Sequence, residues 1–395
     1  MGDFGPELLL IGATGHVGGA VLDKLLIIFP DLQIVALVRL EKDADDLKNQ
    51  YARHMANLRT VVGDLDDVPF LESLATHATI IINCAPDVTF GPGISALLKG
   101  LASSIAEQGS GPNSPRFYVG TSGAAIIWDA ATGSAEARAW DDVSDIDDIL
   151  AIPDSLTHAA TDRIVRSANT LSPLLHTAIV SPSFITGISP SAKRPTPLIF
   201  PDWLHVVKTL GSGLVVNGGL NRSTFVDVRQ LARLYVCLVG DGLERLSSAS
   251  KANGQHEKNA TGTTSDVVET WGPRAYYFAA SLEVSMREFM TDILLPALKK
   301  HGAPYIKSTT DLKNLRGTNT AADIIMERHG AGLGAELWSG HIAEGFGVNM
   351  RVRGTRAEKV FEGFRWQEGK EFGGDAGIDE AVGLFLDLEK KGESS

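Results

Sequence analysis

The chain has 395 residues, with 36 lysines and arginines against 48 aspartates and glutamates, a formal net charge of -12. This length exceeds what one hydrophobic core supports, so two structural units are expected. The acids are spread along the chain rather than gathered in a tail, a balance that repels phosphate backbones and argues against a nucleic-acid partner.

The amino-terminal "MGDFGPELLL" is acidic and carries no basic stretch before a cleavage site. Pro6 stands where a myristoylation motif wants Ser or Thr. The longest apolar runs fall short of a membrane span. Cys84 and Cys237 sit alone in apolar runs, which implies neither a disulfide framework nor a cysteine zinc site. A cytoplasmic protein without a membrane partner is expected.

Leu8 to Ile11 form an apolar run that meets glycines at 12, 15 and 18, and "AVLDKLLIIF" then reads as an amphipathic helix. A strand, a tight turn and a helix amino end in that order suit a dinucleotide. The first glycine allows the turn, the second lets backbone approach the pyrophosphate, and the third lets the helix pack on the strand. Gly12, Thr14, Gly15, His16, Val17 and Gly18 are the candidate phosphate cradle, since helix N–H groups and the dipole face the anion there. The next strand candidate, "QIVALVR", ends on Arg39 with Lys42 close behind. An Arg at this place accepts a 2′-phosphate, so NADP is preferred to NAD. The alternative is that Arg39 is a solvated loop residue and Glu41 or Asp43 supplies the acid of an NAD site.

Further strand candidates follow in "RTVVGD", "TIIINCA", "RFYVGTS" and "HTAIVSP". Continuous Val/Ile/Leu runs separated by helical stretches predict an α/β unit, a doubly wound parallel (Rossmann) sheet, over 1–190, completed by the helical stretch within 223–245. The proline-rich "GISPSAKRPTPLIFPDWL" opens a smaller carboxyl-terminal α/β substrate lobe, assigned to 191–222 and 270–395. Polar, small residues predict a flexible surface loop over 246–269. A Ser285 cap starts a later helix, and the chain closes on an amphipathic helix in "GIDEAVGLFLDLEKK". Trp203, Tyr276 and Tyr277 are either core or lining of a substrate pocket.

"GATGHVGG", "VVGDLDD", "INCAP", "YVGTSG", "AIVSPSFITG", "GGLNRSTFVDVRQLARLYVCLV" and "GTRAEKVFEGFRW" together resemble the extended and atypical short-chain dehydrogenase/reductases. The sub-group most similar is that of fungal nucleoside-diphosphate-sugar epimerase-like proteins. The resemblance implies that Asp64 and Leu65 border the adenine, that Ala85 and Pro86 face the ribose and pyrophosphate, and that Pro182 to Phe184 face the nicotinamide. It also implies a Tyr-x-x-x-Lys pair on one helix face and a Ser or Thr after the fifth strand. Ser122 matches the hydroxyl. The pair is absent: the matching positions in "SLTHAATDRIVRSAN" hold His158 and Asp162. Four residues apart on one helix face, they could form a hydrogen-bonded acid/base pair; alternatively the site has decayed and Asp162 is an exposed first-turn acid. The ten histidines show no metal spacing and no G-x-S-x-G elbow occurs.

These features lead to an NADP-dependent reductase or epimerase-type oxidoreductase acting on a small carbonyl or hydroxyl substrate between the two lobes, with Ser122, His158 and Asp162 as its chemistry. One alternative keeps the cofactor for non-redox isomerase or lyase work. Another is a non-catalytic NAD(P)-sensing protein, as in fungal nitrogen-metabolite-repression regulators. Relatives dimerise through helices flanking the central strands, so the resemblance is compatible with a homodimer.

Overall fold

In the computed structural model, which describes residues 6–85, 88–107, 114–252, 268–330, 332–366 and 375–392, the apolar runs become strands β1 (Glu7–Ile11), β2 (Gln33–Val38), β3 (Leu58–Val62), β4 (Ile80–Asn83) and β5 (Arg116–Thr121). They continue as β6 (Trp140–Asp141), β7 (Leu175–Pro182), β8 (Phe184–Thr186), β9 (Gly213–Val216), β10 (Arg222–Asp227), β11 (Tyr276–Ala279), β12 (Leu282–Ser285), β13 (Leu312–Leu315) and β14 (Val352–Arg353). Seven of them form one parallel sheet in the order β11-β7-β5-β4-β1-β2-β3.

Side chains of a strand alternate between faces, and β1 uses both. Leu8 and Leu10 pack with Val21, Leu22 and Leu25 of the helix His16–Ile28 and with Leu231 and Leu238 of the helix Val228–Ala252. Leu9 and Ile11 pack with Leu97 and Leu101 of the helix Gly91–Glu107. Each of these four β1 side chains is at most 1% exposed, and burial of each contributes about 2 kcal/mol. From β1 the chain winds outward to β2 and β3, then returns across β1 to β4. The order therefore reverses between β1 and β4, and the crevice beyond their carboxyl ends is where such sheets bind ligands.

The remaining strands build the lobe: a β12-β10-β8 sheet and the pairs β13-β9 and β14-β6. The helices Phe200–Leu210, Asn319–His329, Leu333–Glu344 and Ile378–Lys391 complete it. The Ser285 cap is present as a reciprocal capping box with Glu288.

The boundaries differ from those read in the sequence: β6 and β8, within 1–190, and most of β10, within 223–245, pair in the lobe rather than in the central sheet. The helix that begins at Val228 runs to Ala252, so the predicted loop at 246–269 starts inside a helix; residues 253–267 lie outside the described residues. The segment 270–395 does not belong wholly to the lobe, because β11 pairs with β7 in the central sheet. Tyr-Tyr-Phe-Ala is apolar on both faces and buried throughout, and the free edge of β7 is the place that covers both. Ala357 and Phe364 follow it back into the core of the first unit. No helix among the described residues is long and apolar enough to cross a membrane.

Candidate active site

β1 delivers the chain to Gly12, which has φ +85° and whose Cβ, were there one, would lie 2.9 Å from the Cys84 carbonyl after β4. A Cβ on Gly18 would fall 2.0 Å from the Gly12 oxygen. Glycine alone lets turn, helix and neighbouring strand meet this closely. Gly15 caps the helix His16–Ile28 without a side chain, so the first N–H groups face the crevice without a capping oxygen. Gly15, His16 and Val17 line a cavity of about 540 Å³ that continues past Cys84 to Ser122, Pro182 and Phe184.

His16 Nδ1 lies 3.2 Å from the Arg194 carbonyl oxygen, which can only accept, so Nδ1 carries the proton. Burial holds the imidazole pKa down to about 4, and Nε2 is then a buried acceptor with no partner among the described residues. A ribose hydroxyl is the kind of donor this atom lacks. The glycine turn, the open helix end and this orphaned nitrogen together fit a dinucleotide.

The proline-rich segment 187–199 is irregular and straps across the glycine loop. Ser191 Oγ donates to the Thr14 carbonyl at 2.8 Å, Gln50 Nε2 to the Pro190 carbonyl at 2.7 Å, and Lys193 Nζ meets both Asp43 oxygens at 2.6 and 2.8 Å. Beneath the strap a second cleft is lined by Thr14, Leu40, Lys42, Asp43 and Lys193. Arg39 is exposed at the end of β2 and does not line that cleft. Beyond β3, Asp64 is exposed and accepts from the Asp66 N–H at 3.1 Å, while Leu65 is half-buried. Ala85 is buried, its N–H held by Asn83 Oδ1 at 3.1 Å. Pro86 lies outside the described residues.

Ser122 follows β5 and reaches the cavity. Its hydroxyl donates to Asp162 Oδ2 at 3.0 Å, and the Tyr276 hydroxyl donates to the same oxygen at 3.0 Å. Asp162 is 5% exposed, so it is not the first-turn surface acid that its sequence position also allowed. Burial, then the neighbouring Asp162 charge, pushes the Tyr276 phenol well above its ordinary range, and it stays a neutral donor. His158 caps the helix Ala159–Arg166 with φ +72°, and its Nε2 packs against Gly123: a Cβ there would be 2.5 Å away. Ser122 alone of the three meets the cavity, at its floor; Asp162 stands behind it on its hydroxyl, and His158 stands against the adjoining Gly123.

Over that floor, Trp128 stacks on His341 with ring centroids 4.7 Å apart. Burial, then the neighbouring His158, lowers the His341 pKa. The helix carrying His341 and Ile342 is pinned by buried Asp202, which accepts from Trp338 of that helix at 2.9 Å and from Arg328 and His329 of the preceding one at 2.6 and 2.8 Å. Trp203 lines the cavity from the same anchor, whereas Tyr277 is turned to the opposite core with its hydroxyl on the Thr270 carbonyl. Tyr276, Trp128, His341 and Lys193 were not singled out for these roles in the sequence. For Tyr276 the available signal was strand alternation, which places it and Tyr277 on opposite faces of β11.

No protein-family model matches the chain. Among curated proteins it is similar to an oxidase, ucsJ, of an Acremonium species, 28% identical over 239 residues. That match spans 59% of this chain and 66% of the relative, just under two thirds of its length. Among solved structures it is similar to dTDP-glucose 4,6-dehydratase from Bacillus anthracis in complex with NAD, with TM-score 0.56, 13% identity and 98% of each chain covered. It is also similar to vestitone reductase from alfalfa, with TM-score 0.54, 16% identity and coverage of 98% of this chain and 100% of that one. A third is yeast methylglyoxal/isovaleraldehyde reductase Gre2 complexed with NADPH, with TM-score 0.51, 13% identity and coverage of 97% and 99%. These neighbours are dehydratases and reductases of the extended short-chain dehydrogenase/reductase family, and the chain has their fold.

Proposed function

We propose that the chain is an NADP-preferring oxidoreductase of the extended short-chain type that interconverts a carbonyl and an alcohol. The observation that carries this reading is one cavity running from the open amino end of the helix His16–Ile28 to Ser122. Bound there, a nicotinamide supplies or accepts the hydride. Ser122 directs its proton to Asp162 and so presents lone pairs to the cavity. In the oxidative direction it takes the proton of a substrate alcohol while passing its own to Asp162 Oδ2; in the reductive direction both protons return. Tyr276 is a positioning residue that fixes the carboxylate, and His158, which packs on Gly123 and does not line the cavity, positions the turn that carries Ser122. The preference for NADP rests on Lys42, in the first turn of the helix Glu41–Gln50 and lining the second cleft, with Arg39 exposed just past β2. Of the two acids an NAD site could use, Glu41 and Asp43, Asp43 is taken up by Lys193.

A substrate-sized space meeting Ser122 favours turnover over a purely cofactor-sensing role, which needs no such space. Single-turnover mixing with NADPH and a ketone tests the assignment. Ser122→Ala and Asp162→Asn are each expected to slow hydride transfer by about 10²- to 10⁴-fold with NADPH affinity retained. Unchanged rates in both variants would overturn it.

A further inference from the structure

The cavity wall above Ser122 is mostly apolar, with His341, whose pKa burial lowers, as an ionisable side chain in it. Trp128, Phe184, Trp203, Met350, Phe385 and Leu388 line it, and their rings form a chain, Trp128 to Phe184 at 6.0 Å and Phe184 to Trp203 at 5.1 Å. Among the described residues that line the cavity, Lys193 and Arg194 are the only lysines and arginines, and no aspartate or glutamate is present. Both cations belong to the strap at the glycine-loop end, and Lys193 is already paired with Asp43. A nucleotide sugar would bring a second pyrophosphate into the lobe, where no cation stands to offset its desolvation.

From this wall we infer that the substrate is an uncharged, ring-bearing ketone or secondary alcohol on an otherwise apolar frame, and that nucleotide sugars are rejected. The inference deepens the oxidoreductase reading and rests on it for the ketone/alcohol pair. It narrows the small carbonyl or hydroxyl substrate expected from the sequence. Aromatic faces at 5 to 6 Å from one another receive a flat ring by offset or edge contacts.

Isothermal titration of the full chain, with and without saturating NADP, using 2-acetonaphthone and UDP-glucose as probes, tests this. The ketone is expected to bind at least tenfold more tightly than UDP-glucose. Trp128→Ala, and Leu388→Lys on another part of the wall, are each expected to weaken it at least tenfold while NADP affinity holds, which also reports that both variants fold. Equal or tighter binding of UDP-glucose overturns the inference, as does ketone affinity unchanged in both variants. If NADP fails to bind the wild type, the oxidoreductase reading falls instead, and the titration without NADP still decides the ligand class.

Discussion

At Asp162 two neutral hydroxyls, from Ser122 and Tyr276, converge on one carboxylate oxygen. That convergence differs from the expected Tyr-x-x-x-Lys pair in one chemical respect: the ionisable group is an acceptor behind the serine rather than a phenol facing the substrate. Cys84 also borders the cavity, yet burial pushes its thiol up to about 12, so it is not a nucleophile at neutral pH. His16 makes a measurable prediction. Its folded pKa of about 4 lies below the ordinary 6.5, so the unfolded chain takes the proton first. The stability that neutral His16 provides is complete above pH 6.5 and is lost as pH falls toward 4, by about 3 kcal/mol. Urea unfolding of wild type and His16→Asn across pH 7 to 4 should show a shallower loss in the variant; parallel pH profiles would contradict it.

At the scale of elements, the strap 187–199 ties the lobe to the dinucleotide crevice. Its prolines forbid helix, and its hydrogen bonds go to the glycine loop and to the helix Glu41–Gln50 instead. Lys193 is thereby brought to the same cleft as Thr14 and Lys42. A 2′-phosphate entering that cleft competes with Asp43 for the lysine, since phosphate is the more highly charged acceptor. Lys193→Ala is therefore expected to weaken NADPH binding about tenfold and to leave NADH binding within twofold, measured by fluorescence titration of both. Equal losses for the two cofactors would contradict a phosphate-reading role for the strap.

At the scale of the molecule, much of the architecture was legible in the sequence because it is written locally. The β1 run, the three glycines and the following helix occupy neighbouring positions, and continuous apolar strands announce a sheet covered on both faces. The positions of Ser122 after β5 and of Asp162 on the helix Ala159–Arg166 followed from the family resemblance. What escaped was long-range. Tyr276 meets Asp162 across 114 residues, and β11 joins the central sheet after the whole lobe has been made. Lys193 finds Asp43 across 150 residues. No local pattern encodes those distances; they are fixed by which sheet edge and which crevice remain open once the local elements have packed. The helix Val228–Ala252 runs on past its buried part, and its last turns, largely exposed and rich in serine, carry the composition of a loop.

The central claim, that one cavity holds a dinucleotide and presents it to Ser122, is tested most directly by a crystal structure of the protein with NADP. The account predicts the pyrophosphate on the N–H groups of His16 and Val17, a ribose hydroxyl within hydrogen-bond reach of His16 Nε2, and the nicotinamide C4 facing the space between Ser122 and Trp128. A dinucleotide bound elsewhere, or a nicotinamide turned away from Ser122, would contradict it.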